Sequence, residues 1–192
     1  EMRGKRRFAT FARALHGEAH AAAAIGRRAA TSATGPFYCP ADSTAYFDPT
    51  FFAQLRRMGG SDGPLAQEYV VAHEYGHHVQ NLTGALAKGQ RMGSQGPRSG
   101  SVRVELQADC LAGVWAHHAD DGPDALLAPI TEEQIATVIQ TAKAIGDDTI
   151  QGANSNPEGW THGSADQRVR WFSIGYKNGD PRQCDTFSTN DL

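Results

Sequence analysis

The chain has 192 residues, of which 40% are apolar and 20% are charged, and its formal net charge at neutral pH is −3. This length and composition are typical of a single domain with one hydrophobic core. The mildly acidic balance excludes the extended basic surface that a nucleic-acid partner requires. No run approaches the roughly 20 apolar residues of a membrane-spanning helix, and no apolar signal-peptide core follows the basic start. We therefore expect a soluble chain.

Residues 1–33 differ in composition from the rest of the chain. They are rich in alanine and contain seven Arg and Lys residues against two Glu residues. Such a basic, low-complexity stretch is typical of irregular or disordered chain. We therefore divide the sequence into an atypical N-terminal segment, residues 1–33, and a domain over residues 34–192. His16 and His20 belong to the first part.

The first regular elements of the domain are a short strand and a helix. Residues 43–47 alternate between polar and apolar side chains, which favours a strand. Asp48-Pro49 is typical of a helix start, and the following helix runs through Leu55 to Gly59-Gly60. We expect a small β component beside a mainly helical domain.

A second helix is predicted to carry the motif His73-Glu74-Tyr75-Gly76-His77. Residues 67–72 are good helix formers without Pro or Gly, and Gly84 is a plausible stop. Gly76 costs up to about 1 kcal/mol relative to Ala inside a helix. Its missing side chain would let another backbone, or a substrate, approach closely.

This motif predicts a hydrolytic zinc site. Histidines four residues apart project from the same face of a helix, one turn apart, so His73 and His77 can share one ion. Zinc lowers the pKa of a bound water towards about 7, and Glu74 is placed to take its proton as general base. His78 lies on another face, five residues from His73, and we interpret it as structural.

The third zinc ligand is predicted on a later helix, at Glu105. Gln80 and Thr83 stand where a metzincin would have Gly and His, which excludes that class. Glu105 and Asp109 share one helix face, and Asp109 can accept the free ring N–H of a ligating histidine. The alternative is a solvated acidic stripe, but the helix is otherwise largely apolar, and buried carboxylates need a metal or a cation.

The remaining elements are predicted to be scaffold. Residues 84–100 form a long, glycine-rich connection that is either a mobile lid or flexible filler. Thr131 and Gln134 form a capping box for a helix that ends at Gly146. His117 and His118, at a helix end, are expected to satisfy carbonyl groups rather than to bind metal.

Several blocks of the sequence together resemble the bacterial putative neutral zinc metallopeptidase family. The resemblance covers residues 35–187 and implies a gluzincin-like zincin domain that binds Zn²⁺, with a mainly helical α+β fold and a short edge strand or small sheet. It also implies a cell-envelope location on the outer face of the inner membrane, where members are usually anchored by one N-terminal span. The blocks are Gly35-Pro36-Phe37-Tyr38-Cys39-Pro40-Ala41-Asp42, Tyr46-Phe47-Asp48, His73-Glu74 through His77-His78-Val79-Gln80-Asn81-Leu82, Glu105-Leu106-Gln107-Ala108-Asp109-Cys110, Ala144-Ile145-Gly146-Asp147-Asp148, His162-Gly163 and Gln167-Arg168-Val169-Arg170-Trp171-Phe172.

The resemblance bears on two further residues, Cys39 and His162. Of the three cysteines, Cys184 can pair with Cys110 or with Cys39; members usually have another cysteine upstream of Cys39, which this chain lacks, so we favour Cys110 with Cys184. His162 precedes a last helix that opens at Ser164 or Ala165. It is either an oxyanion donor, as in thermolysin-like enzymes, or a turn and capping residue.

We interpret the chain as a zinc metalloendopeptidase acting on a peptide or protein substrate. His73, His77 and Glu105 bind zinc, Glu74 is the base, and Asp109 orients a ligand. One alternative is a zinc hydrolase of another amide, such as a cell-wall peptide. The other is a silent binding module in which zinc only joins two helices.

Overall fold

A computed structural model describes residues 12–14, 24–25, 28–29, 35–123, 125, 127–152 and 154–192. The segment that we interpret as atypical, residues 1–33, lies mostly outside the described residues, as do His16 and His20. Within that segment the structure describes three short strands.

Helices dominate the described part of the chain, and the strands are short. The prediction of a mainly helical α+β fold is therefore confirmed. The helices are α1 (Thr50–Arg57), α2 (Pro64–Thr83), α3 (Ala85–Gln90), α4 (Gly100–His118), α5 (Glu132–Ala144), α6 (Asp147–Gln151) and α7 (Ala165–Asn178). The strands are β1 (Ala12–Ala14), β2 (Ala24–Ile25), β3 (Arg28–Ala29), β4 (Phe37–Cys39) and β5 (Thr44–Phe47).

The described strands form two small sheets. In the larger sheet β5 is central, with β1 parallel on one side and β4 antiparallel on the other, and Phe37 lies opposite Tyr46. β2 and β3 form a separate antiparallel pair. The strand expected at residues 43–47 is thus β5, whereas β4 was not predicted, because its three residues are too few to show an alternating pattern.

Most helix limits agree with the sequence signals. α2 ends at Thr83, and Gly84 follows in the left-handed conformation with φ of 80°. The capping box of Thr131 with Gln134 is present at the start of α5, and Ser164 caps α7. In each case a side chain or a glycine satisfies the polar groups that a helix end leaves unpaired.

The prediction of a wholly irregular connection over residues 84–100 was wrong. α3 occupies Ala85–Gln90, because a helix here buries Leu86 against Tyr38 and Phe47 of the sheet. Gly89 also packs so closely on Gly100 at the start of α4 that a side chain at either position would overlap the other backbone. The glycines that indicated a loop serve here as packing contacts between two helices.

The core lies where α2, α4, α5 and α7 meet. One buried cluster is shared by α1, α2, α4, α5 and α7, and a second joins α4 and α7 to the C-terminal tail. α4 and α7 approach most closely at Gly113 and Gly175, where an added Cβ would overlap the Phe172 and Cys110 carbonyl oxygens respectively. The buried residues of the first cluster include Leu55, Leu65, Tyr69, Val70, Val138 and Phe172, and those of the second include Val102, Leu106, Cys110, Trp171 and Cys184.

We expect Gly175→Ala to destabilise the fold strongly. The added methyl group has no space beside the Cys110 backbone, so α7 must move away from α4, and overpacking of this kind costs about 3 kcal/mol. Gly159→Ala is the matched control, because no atom lies within 4 Å of an added Cβ there. Urea unfolding of both variants measures the difference, and an equal effect of the two substitutions would contradict this packing.

A disulfide ties the C-terminal tail to α4. Cys110 and Cys184 are bonded, with their Cα atoms 5.5 Å apart, so the favoured pairing is confirmed. Cys39 is a buried free thiol. None of the helices in the described part of the chain combines the length and apolarity needed to cross a bilayer.

Candidate metal centre

Two helices bring three metal-ligating side chains to one point. α2 contributes His73 and His77, α4 contributes Glu105, and one donor atom from each lies within 4.8 Å of the others. The Nε2 atom of His73 is 3.2 Å from Glu105 Oε2, and Nε2 of His77 is 3.5 Å from Glu105 Oε1. The structure therefore places the three residues predicted as ligands around one possible ion position.

Gly76 explains how α2 and α4 come so close. A Cβ at this position would lie 3.1 Å from the Cα atom and 3.2 Å from the carbonyl oxygen of Ala108, tighter than ordinary van der Waals contact. The sequence allowed either another backbone or a substrate to occupy the space beside Gly76. The structure places the backbone of α4 there. The glycine between the two histidines thus sets the spacing between the ligand helices.

Asp109 orients the first histidine. Its Oδ1 atom lies 2.9 Å from His73 Nδ1. Burial opposes ionisation of Asp109, but Arg168 and His73 lower its pKa below the ordinary value, so the carboxylate acts as acceptor. His73 therefore donates through Nδ1, and its Nε2 atom, 3.2 Å from Glu105 Oε2, is the ring atom left to bind a metal.

Gln80 orients the second histidine, a role that the sequence did not reveal. Its side-chain nitrogen donates to the carbonyl oxygen of Val104 at 2.7 Å and to Oε1 of Gln107 at 3.1 Å. Gln80 Oε1 therefore lies 2.8 Å from His77 Nδ1 and accepts a hydrogen bond from it. The only available signal was the spacing of three residues along α2, which places Gln80 beside His77.

The chemistry of this donor set fits a divalent metal such as zinc. With both Nδ1 atoms donating, two nitrogen lone pairs and a carboxylate face one point. Burial works against a charge on His73, yet the carboxylates of Asp109 and Glu105 raise its pKa to about 10, so they favour a positive charge at this point, either a proton on Nε2 or a metal ion in its place. Two imidazoles and one carboxylate are the protein ligands of many hydrolytic zinc sites, which leave another position open.

Glu74 lies beside this point without belonging to the donor group. It is buried on α2 and lines the same cleft as the two histidines. Its Oε2 atom has no hydrogen-bond partner among the described residues, and burial raises its pKa. A buried carboxylate without a partner is costly, so its presence indicates a role towards a bound molecule.

A second buried group surrounds Asp109. Tyr69 donates its hydroxyl to Asp109 Oδ1 at 2.6 Å, and Arg168 donates to the same atom at 3.0 Å. Neither role was predicted. Tyr69 is four residues before His73 on α2, which is a helical signal, but the contact of Arg168 with α4 depends on how α7 packs.

The metal centre opens into a cleft of about 790 Å³. Its walls come from β4, α1, α2, α3, α4, α6 and the turn around His162, and about half of the lining side chains are apolar. In the described residues, the carboxylates and guanidinium that line it are Glu74, Glu105 and Arg168, all at or against the metal centre. The more distant walls therefore favour uncharged groups.

His162 lies at the rim of this cleft, in a turn that one carboxylate organises. Asp147 Oδ2 accepts the backbone N–H groups of Thr161, His162 and Gly163 at 2.7, 2.6 and 3.0 Å. The ring Nδ1 of His162 lies 3.3 Å from Asp147 Oδ1, and this hydrogen bond raises the pKa of His162. His162 is thus both a turn residue and a cleft residue. The sequence did not indicate that Asp147 holds it.

We expect the carboxylate of Asp147 to make stability depend on pH between about 4 and 2. Burial opposes its ionisation, but the His162 ring and the three backbone N–H groups lower its pKa to about 2. Because the folded pKa lies below the unfolded value of about 3.9, its stabilisation is present above pH 4 and is lost as the pH falls towards 2. The contribution is about 2 kcal/mol.

Urea unfolding of wild type and Asp147→Asn at pH 5, 3 and 2 measures this contribution. The difference in free energy of unfolding should shrink as the pH falls. A difference that stays constant over this range would contradict the assigned charge.

The other histidines of the helices lie outside the donor group. His78 Nδ1 accepts from the Tyr38 hydroxyl at 2.9 Å, which in turn accepts from Asn81.

His117 and His118 donate to the carbonyl oxygens of Tyr176 and Gly179 at 2.6 and 2.9 Å. These carbonyls end α7, not α4, so the two histidines join the ends of neighbouring helices. With Asp121 they form a second, surface group whose donor atoms lie within 4.8 Å of one another.

The sequence comparisons identify a family of zinc peptidases. The family model described as "Putative neutral zinc metallopeptidase" matches residues 10–187. An uncharacterized protein of Mycobacterium tuberculosis is 54% identical over 172 residues, which cover 85% of this chain and 58% of that protein. The uncharacterized protein YpfJ of Escherichia coli is 41% identical over 169 residues, covering 84% and 57% respectively.

The chain thus spans less than two thirds of the length of these relatives. No solved structure matches it. The extent of the family match shows that this chain belongs to the putative neutral zinc metallopeptidase family.

Proposed function

We propose that this chain is a zinc-dependent metalloendopeptidase domain with a zincin-like fold, in which His73, His77 and Glu105 hold the metal. The observation that carries the proposal is the convergence of two oriented imidazoles and a carboxylate beside Glu74, whose Oε2 is buried without a partner. When bound, zinc supplies Lewis acidity, which polarises the scissile carbonyl and lowers the pKa of the attacking water.

Glu74 carries the proton transfers of the proposed reaction. Its carboxylate takes a proton from the attacking water as general base. The protonated carboxyl group then donates to the nitrogen of the leaving amine, so the base is restored at the end of the cycle. Burial raises the pKa of Glu74, which makes its carboxylate a stronger base for the first step.

His162 stabilises the negative charge that develops on the substrate carbonyl oxygen. Asp147 engages its Nδ1 atom, which leaves Nε2 as the ring atom for the substrate. Because the hydrogen bond to Asp147 raises the pKa of His162, the ring tends to be protonated and can donate. A preorganised donor of this kind favours the transition state over the ground state.

The substrate in this proposal is an extended peptide with uncharged side chains near the scissile bond. Among the described strands β4 lies at the edge of its sheet, beside β5, and Phe37 and Tyr38 of β4 line the cleft, so a peptide can add to that edge by backbone pairing. The apolar walls formed by Phe51, Met58 and Val70 then receive side chains of the substrate.

The two alternatives are less well supported. A module in which zinc only joins two helices has no use for Glu74, since an unpartnered buried carboxylate costs stability. Hydrolysis of another amide, such as a cell-wall peptide, would use the same residues. The Cys110–Cys184 disulfide is typical of oxidising compartments and supports a proposed location in the cell envelope, on the extracytoplasmic side.

Zinc analysis and casein digestion of the purified protein test this proposal. We expect about one zinc per chain, cleavage of unfolded casein, loss of cleavage after chelation, and recovery on addition of zinc. Mass spectrometry of the products should place the cleaved bonds between uncharged residues. Zinc bound without cleavage of casein or of cell-wall peptides would contradict the proposal and favour a binding module.

A further inference from the structure

A chain of hydrogen bonds links the metal ligand His77 to the C-terminal tail. His77 Nδ1 lies 2.8 Å from Gln80 Oε1. Gln80 Nε2 donates to Gln107 Oε1 at 3.1 Å, and Gln107 Nε2 donates to the backbone carbonyl of Cys184 at 2.8 Å. Two side-chain amides thus connect α2 and α4 to a residue 107 positions further along the chain than His77.

Two backbone carbonyls, those of Cys184 and Val104, determine the direction of the bonds in this chain. A carbonyl oxygen can only accept, so Gln107 must donate to that of Cys184 through Nε2 and present Oε1 to Gln80. Gln80 donates through Nε2 both to this Oε1 atom and to the Val104 carbonyl at 2.7 Å, so it accepts through its own Oε1. The last member, His77, is left to donate through Nδ1. Its Nε2 atom therefore carries the lone pair, which is the form that binds a metal.

The tail that provides this carbonyl is fastened to α4 at two places. The disulfide joins Cys184 to Cys110, one turn beyond Gln107 on the same helix. Arg103, one turn before Gln107, donates to the carbonyl oxygens of Thr186 and Thr189, and the Thr186 hydroxyl donates to the Arg103 carbonyl at 2.7 Å. The carbonyl of Cys184 therefore keeps a fixed position relative to α4 and to Glu105 on it.

We propose that Gln80 and Gln107 are positioning residues for His77, and that the Cys110–Cys184 disulfide strengthens metal binding by fixing the carbonyl to which Gln107 donates. The proposal rests on the proposed function in one respect, that a metal binds at His73, His77 and Glu105. It goes further in making the affinity for that metal depend on a disulfide in the C-terminal tail. Residues that orient a ligand commonly contribute ten- to a hundredfold to metal affinity.

Zinc affinity of Gln107 variants tests the positioning role without using catalysis. Gln107→Leu removes both amide groups, and Gln107→Glu keeps the size but cannot donate to the Cys184 carbonyl at neutral pH. We expect both to weaken zinc binding ten- to a hundredfold, measured by competition with a chromophoric chelator. The visible spectrum of the cobalt-loaded protein should also change, because the His77 ring is less well fixed.

Gln140→Leu is the matched control for these variants. Gln140 also donates its amide to a backbone carbonyl, that of Gly59 at 2.8 Å, but it lies on α5 away from the metal centre. Its zinc affinity and cobalt spectrum should equal those of the wild type. If Gln107→Leu and Gln107→Glu also match the wild type while circular dichroism shows them folded, the positioning role is refuted.

A double-mutant cycle tests the route through the disulfide. Replacing Cys110 and Cys184 together by Ala should weaken zinc binding, and the same change in the Gln107→Leu background should have little further effect. Fully additive effects would refute the route through Cys184. If wild-type protein binds no zinc at all, the metal centre itself is refuted. That result differs from wild-type affinity in the Gln107 variants and from additive effects in the cycle, which refute the positioning role and the route through Cys184.

Discussion

Replacing Glu74 by Gln is expected to lower the rate of peptide hydrolysis by roughly 10³-fold, which is within the usual contribution of a general base. The substitution removes the group that takes the proton from water but none of the three metal ligands. Zinc content should therefore stay at about one per chain. Casein digestion and elemental analysis of the same preparation measure both quantities.

The fold should tolerate Glu74→Gln without loss of stability. Glu74 is buried, its Oε2 atom has no partner among the described residues, and burial raises its pKa. A neutral amide of the same size is thus no worse than the carboxylate, and the melting temperature should be equal or higher.

Glu68→Gln provides the control for this substitution, because Glu68 lies on the same helix but does not line the cleft. Its activity should equal that of the wild type. Undiminished hydrolysis by Glu74→Gln would remove Glu74 from the mechanism.

Replacing Glu105 by Ala is expected to weaken zinc binding by more than about 100-fold, since loss of a ligand costs at least as much as loss of a residue that orients one. The remaining donors, His73 and His77, sit on one helix and cannot by themselves hold the ion against α4. Elemental analysis after dialysis should find little zinc. The melting temperature of the variant should no longer respond to added zinc.

His78→Ala is the matched comparison for Glu105→Ala. The His78 ring contacts Tyr38 on β4 and stands outside the donor group. Its removal should leave zinc content unchanged and cost about 1 kcal/mol of stability through the lost hydrogen bond. An empty metal site in His78→Ala, with zinc retained in Glu105→Ala, would reverse the assignment of the ligands.

Local patterns predicted the parts of this protein that depend on helix geometry. The spacing of His73 and His77 defines their common face, and the caps at Gly84, Thr131 and Ser164 define helix ends, because these features depend on neighbours within one turn. The contact of Asp109 with a histidine could also be expected, since a ligating imidazole needs an acceptor for its second nitrogen.

The residues whose roles were not predicted make contacts between elements that are distant in the sequence. Gln80 looks like an ordinary polar residue on a helix until α4 brings Val104 and Gln107 beside it. The role of Arg168 depends on the packing of α7 against α4, which the sequence does not show. The role of Asp147 depends on the fold bringing the turn around His162 next to it. Gly89 contributed to the wrong prediction of an irregular connection over residues 84–100, because in the structure it lies in a helix and allows close packing.

The contact of Gly76 with Ala108 has a consequence for how this site can change. Main-chain atoms meet there, so the separation of the donor atoms is set by rigid parts that neighbouring side chains cannot adjust. Core substitutions that spare the residues orienting His73 and His77 can alter stability while the geometry offered to the ion stays constant. A different metal preference would therefore have to come from exchanging the donor groups or the residues that orient them, or from a larger residue at position 76 that forces the two helices apart.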